Sequence, residues 1–344
     1  MRKKLYGFLA VLVALAGLAL CGVYYVKLKV ETFPLKGQTT LEVRPGASLR
    51  SVLRTLEKDG VVENPDLVYY YARVRGLTQV RTGTYSVGVE QTPEFLLQML
   101  NEGRVVTEKF TITEGYNRWQ LRQVLADGGW VTADEFDALC DDKEFLQAND
   151  VPGPNCEGYL FPETYTFARG VPARKIFETL FKAWRTNLAD VQERLGGGPL
   201  SLSPREFTTL ASIVEKETGA SEERPRIACV FYNRLKSKPV MKLQTDPTVI
   251  YAATLNDPNF DGNIKSYHLR EMDHPYNTYL RVGLPPGPIA AAGKAAFEAV
   301  AAPVECNDLF FVSKNNGRHV FCPTYECHLQ NVQKWQVQYF KKKR

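Results

Sequence analysis

Residues 203–219 read SPREFTTLASIVEKETG and predict a helix with clear boundaries. Ser203 and Glu206, three residues apart, fit a capping box, in which each side chain bonds the other residue's backbone N–H. Pro204 suits the first helical position, because proline lacks the N–H that is unpaired there anyway. Gly219 is a typical helix end. The rest of the chain is interpreted around this helix.

The predicted helix carries two carboxylates beside an apolar face. Apolar side chains recur at helical spacing at Phe207, Leu210, Ala211 and Val214. At about 100° per residue, Glu217 lies at the edge of that face, whereas Glu215 lies on the far side. A carboxylate at an apolar edge is partly desolvated, which raises its pKa and suits it to act as a general acid. Glu217 is therefore the candidate, and the alternative is that both are solvated residues of a last turn.

Length and charge limit the kind of protein. A chain of 344 residues suggests two domains or one large one. The net charge of +5 includes basic runs at residues 2–4 and 341–344, so the remainder is close to neutral. We expect no nucleic acid partner.

The N-terminal region predicts a membrane anchor. Leu5 to Val26 contains no charged residue and is long enough to cross a bilayer. Basic residues precede it, so residues 1–4 should form a cytoplasmic tail and the remainder should be exported. This predicts a single-pass protein of the cytoplasmic membrane. A cleaved signal peptide is the alternative, although its apolar core is usually shorter. Lipoprotein cleavage at Cys21 is disfavoured because bulky Leu20 precedes it.

Cysteine usage fits an exported domain. Six cysteines follow the apolar segment, at positions 140, 156, 229, 306, 322 and 327. An even number in an exported domain permits disulfides. No second ligand pair accompanies Cys322 and Cys327-His328, so no metal site is expected. Cys229 lies in a predicted helix and is interpreted as a small core residue.

The remaining segments predict an α+β protein. Residues 27–38 are interpreted as a polar linker. Residues 39–104 alternate strand, helix, helix and strand in a small α+β module that resembles LysM modules of cell-wall enzymes. That module could bind glycan or act only as a spacer. Residues 105–340 form a larger mixed domain, and residues 341–344 a basic tail.

Two segments suit a hydroxyl-rich ligand. Leu243 to Tyr251 combines an amide, hydroxyls, a carboxylate and a predicted proline turn. Glu157 to Tyr165 is an aromatic loop that could stack on sugar rings. Plain packing, or a turn that bonds to itself, explains these segments equally simply.

Read together, several motifs resemble the MltG/YceG-like endolytic murein transglycosylase family over nearly the whole chain. They are EGYLFPETY at 157–165, LASIVEKET at 210–218, FYNRL at 231–235, LQTDPTVIY at 243–251, NTY at 277–279, GLPPGPI at 283–289 and FVSKNNGRHVF at 311–321. The sequence departs from the family pattern at Cys327, where an acidic residue is usual, and in the alanine-rich loop after Ile289.

The resemblance implies a catalytic domain with a lysozyme-like helical core and a catalytic Glu followed by a small hydroxyl residue. Glu217-Thr218 fits that pair, whereas Glu215-Lys216 does not. The resemblance also implies that Gln244 and Tyr276-Asn277 line a sugar groove. Further candidates for substrate binding are Thr218, Asn233, Arg234, Thr245, Asp246 and Tyr279.

The expected activity is lytic transglycosylation of nascent peptidoglycan without a metal or organic cofactor. Glu217 would act as acid and then base to leave a 1,6-anhydro end on N-acetylmuramic acid, which limits strand elongation. The expected partners are glycan strands, the cytoplasmic membrane and, as candidates, peptidoglycan synthases. One alternative is a non-catalytic glycan-binding scaffold for wall synthesis. Another is a muramidase that uses water, with Asp246 as the second carboxylate.

Overall fold

The computed structural model describes residues 2–339 and 341, and the fold is α+β as predicted. The helices are α1 Arg2–Glu31, α2 Leu49–Lys58, α3 Pro65–Arg75, α4 Pro93–Glu102, α5 Arg118–Asp127, α6 Ala133–Asp141, α7 Lys143–Ala148, α8 Ala173–Leu195, α9 Pro204–Glu217, α10 Arg224–Lys236, α11 Asp246–Asn256, α12 Ser266–Arg270, α13 Lys294–Ala301 and α14 Tyr325–Val332. The strands are β1 Thr39–Val43, β2 Gly83–Val87, β3 Thr107–Thr111, β4 Thr164–Ala168, β5 Phe310–Ser313 and β6 His319–Cys322. Each strand belongs to a two-stranded sheet, in the pairs β1-β2, β3-β4 and β5-β6.

The chain divides into two compact units, Met1–Lys109 with Thr166–Val171, and Phe110–Tyr165 with Pro172–Arg344. In the first unit, β1 and β2 pair antiparallel with Thr39 opposite Val87. Helices α2, α3 and α4 supply most of the apolar side chains of its core. The predicted order of strand, helix, helix and strand is therefore confirmed, while the LysM-like character of the module stays a prediction.

The C-terminal end of helix α1 is part of the core of the first unit. Its segment Tyr6–Glu31 is long and apolar enough to cross a membrane. Val30 is fully buried in the core of the unit, and Tyr71 donates a hydrogen bond to the Glu31 carboxylate at 2.7 Å. Leu35 is buried in the same core. Residues 27–38 therefore differ from the predicted polar linker, because α1 continues to Glu31 and both Val30 and Leu35 belong to the core.

Helix α9 lies at the centre of the second unit. Ser203 and Glu206 form the predicted capping box, and the helix ends at Glu217 with Thr218 as its C-cap. The helix packs against α10, α11 and α13. Because it is covered on several sides, every residue from Phe207 to Glu215 is buried. A single apolar face was therefore too simple a description of α9.

The six cysteines after α1 form three disulfides in the second unit. The pairs are Cys140–Cys156, Cys229–Cys306 and Cys322–Cys327. Cys229 is buried in the core, as predicted, but it is also disulfide-bonded to Cys306, which lies in a loop 77 residues away. Periodicity along α10 does not reveal such a partner.

Three local features of the structure were not predicted from the sequence. The proline turn predicted around Pro247 is the start of α11, because an acidic residue and a proline are both favourable in a first helical turn. Strand β4 begins at Thr164, inside the segment interpreted as an aromatic loop. The C-terminal helical segment is α-helical over Tyr325–Val332 and π-helical over Gln333–Gln338. Met1, Phe340 and residues 342–344 of the basic tail lie outside the described residues.

Candidate active site

Glu217 is the last residue of α9, and its carboxyl group is partly buried. Its Oε1 atom is buried and has no hydrogen-bond partner among the described residues. The same holds for the hydroxyl of Thr245, which lies in the segment before α11. A buried carboxylate oxygen without a donor is unfavourable, because neither water nor protein compensates for its lost hydration.

The surroundings of Glu217 favour its protonated form. Burial and, to a smaller extent, the negative charge of Asp246 raise the pKa of Glu217 to about 7. An interaction with Thr245 and the positive charge of Arg234 act in the opposite direction without cancelling the effect of burial. Near neutral pH the carboxyl group can therefore both donate and accept a proton, as a general acid and base must.

An open groove of about 410 Å³ lies in front of Glu217 within the second unit. Part of its lining comes from α9, α10 and the segment leading into α11, and part from the hairpin β5-β6 and the C-terminal helical segment. Five predicted site residues line it, namely Glu217, Arg234, Gln244, Asp246 and Tyr279. These five residues converge although they are spread over 63 positions of the sequence.

The polar residues of the groove hold one another in place. The Tyr279 hydroxyl donates to Asp246 at 2.6 Å. Arg234 is buried and donates to the backbone carbonyls of Leu309 at 2.7 Å and Leu243 at 2.6 Å. Arg234 therefore links α10 to the segments that precede β5 and α11. Its positive charge lowers the pKa of Glu217. Its role is at least partly structural, and Asp246 and Gln244 are more exposed to a ligand.

Two predicted amides serve the fold instead of the groove. Asn277 is fully buried, and its side-chain amide donates to the carbonyls of His268 and Met272, both at 2.9 Å. Asn233 donates to the carbonyls of Cys306 and Asp308, both at 3.0 Å. Neither side chain lines the groove of Glu217. The polar motifs that contain them satisfy backbone groups there, which is the commonest use of a buried side-chain amide.

Three other predicted residues also lie outside the groove lining. Thr218 is buried, and its hydroxyl accepts the N–H of Ala220 at 3.0 Å, which closes the turn after α9. Tyr276 packs against Tyr251 with a ring-centroid distance of 5.0 Å. Thr245 is buried next to Glu217, whose pKa it lowers, and it does not line the groove.

Sequence reasoning did not name the opposite wall of the groove as part of the site. It consists of Phe310, Phe311, Val312, Ser313, His319, Tyr325, His328, Val332 and Gln336. His319 is fixed by Glu223, which accepts its backbone N–H at 3.0 Å and lies 2.8 Å from its Nδ1 atom. Tyr325 and His328 are three residues apart, which places them on one helix face, and this spacing was a signal that could have identified them.

Glu215, the other carboxylate of α9, is a structural residue. It forms a buried ion pair with Arg224 and accepts the N–H of Gly293 at 3.1 Å. Burial raises the pKa of Glu215, which Arg224 and the Gly293 N–H counteract. The expectation that Glu215 lies away from the core is wrong, because α10 and the segment before α13 cover that side of the helix. Glu215 does not line the groove.

No group of three or more His, Cys, Asp or Glu side chains in the described part of the chain is arranged to hold a metal ion. The arrangement at Glu217 is that of one carboxyl group with a raised pKa, close to the exposed carboxylate of Asp246, in an open groove of polar and aromatic side chains. Such a groove can accept an extended chain of hydroxyl-rich units, and the carboxyl group can transfer one proton in each direction.

Comparison with known proteins agrees with the motifs. The model of the YceG-like family matches residues 41–334. The endolytic murein transglycosylase of Bacillus subtilis (strain 168) is 31% identical over 332 residues, covering 90% of this chain and 89% of that protein. The protein of the same name from Streptococcus pneumoniae serotype 2 is 29% identical, covering 86% of this chain and 58% of its own length.

A solved structure has the same fold over most of its length. The 2.6 Å crystal structure of a YceG-like protein from Listeria monocytogenes superposes with a TM-score of 0.56 at 31% sequence identity. The alignment covers 86% of this chain and 99% of that one. Given the family match over residues 41–334, this chain belongs to the YceG-like family.

Proposed function

We propose that this chain is a lytic transglycosylase that cleaves the bond between N-acetylmuramic acid and N-acetylglucosamine within peptidoglycan strands. The observation that carries the proposal is Glu217, a partly buried carboxyl group with a pKa of about 7 at the floor of an open groove. Two relatives described above bear the name endolytic murein transglycosylase, which supports the same substrate class.

The proposed reaction needs one group that is first an acid and then a base. Glu217 donates its proton to the glycosidic oxygen as the bond from that oxygen to C1 of the muramic acid breaks. The resulting carboxylate then takes the proton of the C6 hydroxyl, whose oxygen attacks C1. The product carries a 1,6-anhydro ring, no water is consumed, and Glu217 ends protonated. Since one group performs both transfers, a pKa near the working pH is an advantage.

Neighbouring residues have supporting roles in this proposal. Asp246 raises the proton affinity of Glu217, and Tyr279 fixes Asp246 in place. Gln244 is exposed at the groove and is proposed to bond substrate hydroxyls. Arg234 limits the rise in pKa and holds the groove walls together.

We further propose that α1 anchors the protein in the cytoplasmic membrane and that both compact units are exported. The apolar segment of α1 supports the anchor, and three disulfides support an oxidising compartment. Glycan binding by the first unit, and association with peptidoglycan synthases, stay predictions.

The decisive experiment is digestion of purified peptidoglycan by the full chain and by its Glu217→Gln variant. We expect anhydro-muropeptides, one water lighter than reducing ends by mass spectrometry, from the unsubstituted chain alone. Retained activity in Glu217→Gln would refute the role of Glu217. Products with reducing ends would indicate a hydrolase, with Asp246 as the candidate second carboxylate. Glycan binding without cleavage would indicate a scaffold.

A further inference from the structure

Three aromatic side chains on the wall opposite Glu217 form a continuous group. We call Phe310, His328 and Tyr325 the aromatic triplet. The rings of Phe310 and His328 are stacked with centroids 5.0 Å apart, and those of Tyr325 and His328 are stacked at 6.1 Å. All three side chains line the groove. The guanidinium of Arg234 lies over Phe310 at 5.4 Å, so the triplet begins beside the residue whose charge acts on Glu217.

Exposure increases from the inner to the outer end of the triplet. Phe310 and His328 are half-buried, whereas Tyr325 is 56% exposed. Burial lowers the pKa of His328, and the charge of Arg234 lowers it further, so its ring is neutral at neutral pH and stacks without a charge to hydrate. The triplet therefore presents one open aromatic face, that of Tyr325, at the mouth of the groove.

The backbone at Tyr325 is held in place by several contacts, although its side chain is exposed. It is the first residue of α14, which Thr324 caps by accepting the Cys327 N–H at 3.3 Å. The disulfide Cys322–Cys327 encloses Tyr325 in a short loop between β6 and α14. Asn331 donates to the Cys327 carbonyl at 3.0 Å and secures the same turn. The backbone that carries Tyr325 is thus fixed by a cap and a disulfide, and its ring packs against Phe310 at 5.8 Å and His328 at 6.1 Å, so less freedom is lost when a ligand binds on it.

We propose that the aromatic triplet, through the open face of Tyr325, is a binding subsite for one pyranose ring of a glycan strand that extends along the groove from Glu217. One face of a pyranose carries only C–H groups. Such a face excludes water from an aromatic ring and places weakly positive hydrogens on its electron-rich surface. This subsite rests on the proposed function for the identity of its ligand, because the ring it binds belongs to the strand that Glu217 would cleave.

The test measures binding and cleavage separately. Binding uses the full chain carrying Glu217→Gln, in detergent micelles, titrated with soluble peptide-free glycan strands. Adding Tyr325→Ala should weaken binding by roughly tenfold to a hundredfold, as expected for loss of an aromatic anchor. Tyr325→Phe should bind like the parent, because the stacking face remains. Tyr267→Ala is the matched control, since Tyr267 is 51% exposed in the same unit and does not line the groove.

A second substitution covers the possibility that alanine disturbs the start of α14. Tyr325→Leu retains apolar bulk without an aromatic face, and it should also bind weakly while its thermal unfolding matches that of Tyr325→Phe. In the active chain, Tyr325→Ala should raise KM with little change in kcat, as loss of uniform binding does.

The outcomes separate the subsite from the catalytic proposal. If the unsubstituted chain cleaves strands but no Tyr325 substitution changes strand binding, the subsite proposal is overturned and the catalytic proposal is not. Tyr325-dependent binding without any cleavage would support the subsite and overturn the catalytic proposal. Failure of the Glu217→Gln chain to bind strands at all would overturn the subsite.

Discussion

Replacing Glu217 by glutamine should make the protein more stable at alkaline pH while removing its proposed acid. The carboxyl group has a pKa of about 7 in the folded chain against an ordinary 4.5, and burial is the main cause. Since the folded state binds the proton more tightly, the parent chain loses stability as pH rises from about 4.5 to 7 and loses no more above that. The amide of glutamine stays neutral over this pH range, so the Glu217→Gln chain does not lose this stability.

The size of the effect follows from the two pKa values. The interval from 4.5 to about 7, at about 1.4 kcal/mol per pH unit, gives about 3 kcal/mol at pH 8. At pH 5 the difference should stay below about 1 kcal/mol, because pH 5 is only slightly above the pKa of Glu217 in the unfolded chain. For a unit of this size, 3 kcal/mol corresponds to a rise in Tm of roughly 6–12 °C.

Thermal unfolding of both full chains in detergent, followed by circular dichroism at pH 5 and pH 8, measures this difference. Glu157 is also buried with a pKa of about 7, but it is present in both chains and its contribution cancels. A Tm gain of equal size at the two pH values would show that proton binding by Glu217 is not its source. A loss of Tm at pH 8 would refute the reasoning.

Two further substitutions test the contacts around the site. Glu215→Gln should lower the free energy of unfolding by roughly 3 kcal/mol at neutral pH, because buried Arg224 would lose its ion pair with Glu215 and keep only the more distant carboxylate of Glu114, at 3.7 Å. The sign is opposite to that for Glu217→Gln, and an unchanged Tm would contradict the structural role of Glu215. Joint replacement of Cys229 and Cys306 by serine should lower the free energy of unfolding by about 4.5 kcal/mol. The reason is that this disulfide closes a loop of 77 residues and so reduces the chain entropy of the unfolded state. Denaturant unfolding under oxidising conditions measures this loss, and a midpoint like that of the parent would refute it.

Local signals in the sequence identified α9 and the candidate carboxylate. Ser203 and Glu206 bond each other across three residues, so their geometry is already implied by their spacing. The environment of Glu215 was not predictable in this way, because Arg224 and Gly293 reach it only through tertiary packing. Periodicity describes one helix, and it does not reveal how many neighbours cover that helix.

The polar motifs were informative about position but ambiguous about purpose. Asp246 and Asn277 both lie in segments dense in donors and acceptors, yet Asp246 faces the groove and Asn277 bonds carbonyls inside the fold. A polar side chain in such a segment can serve a ligand or the fold, and only the location of unpaired backbone groups decides between them. The wall that carries Tyr325 was missed for a related reason, since its residues, Phe310 to Gln336, follow Glu217 by 93 to 119 positions in the sequence.

The way α1 ends affects where the chain can be shortened for study in water. A version that starts at Thr39 would leave a hole where Val30 and Leu35 fill the core, and Tyr71 would lose its bond to Glu31. A version that starts at Lys27 would omit most of the lipid-compatible stretch and retain all three contacts. A truncated protein that preserves the first unit should therefore begin inside α1, about a dozen residues before β1.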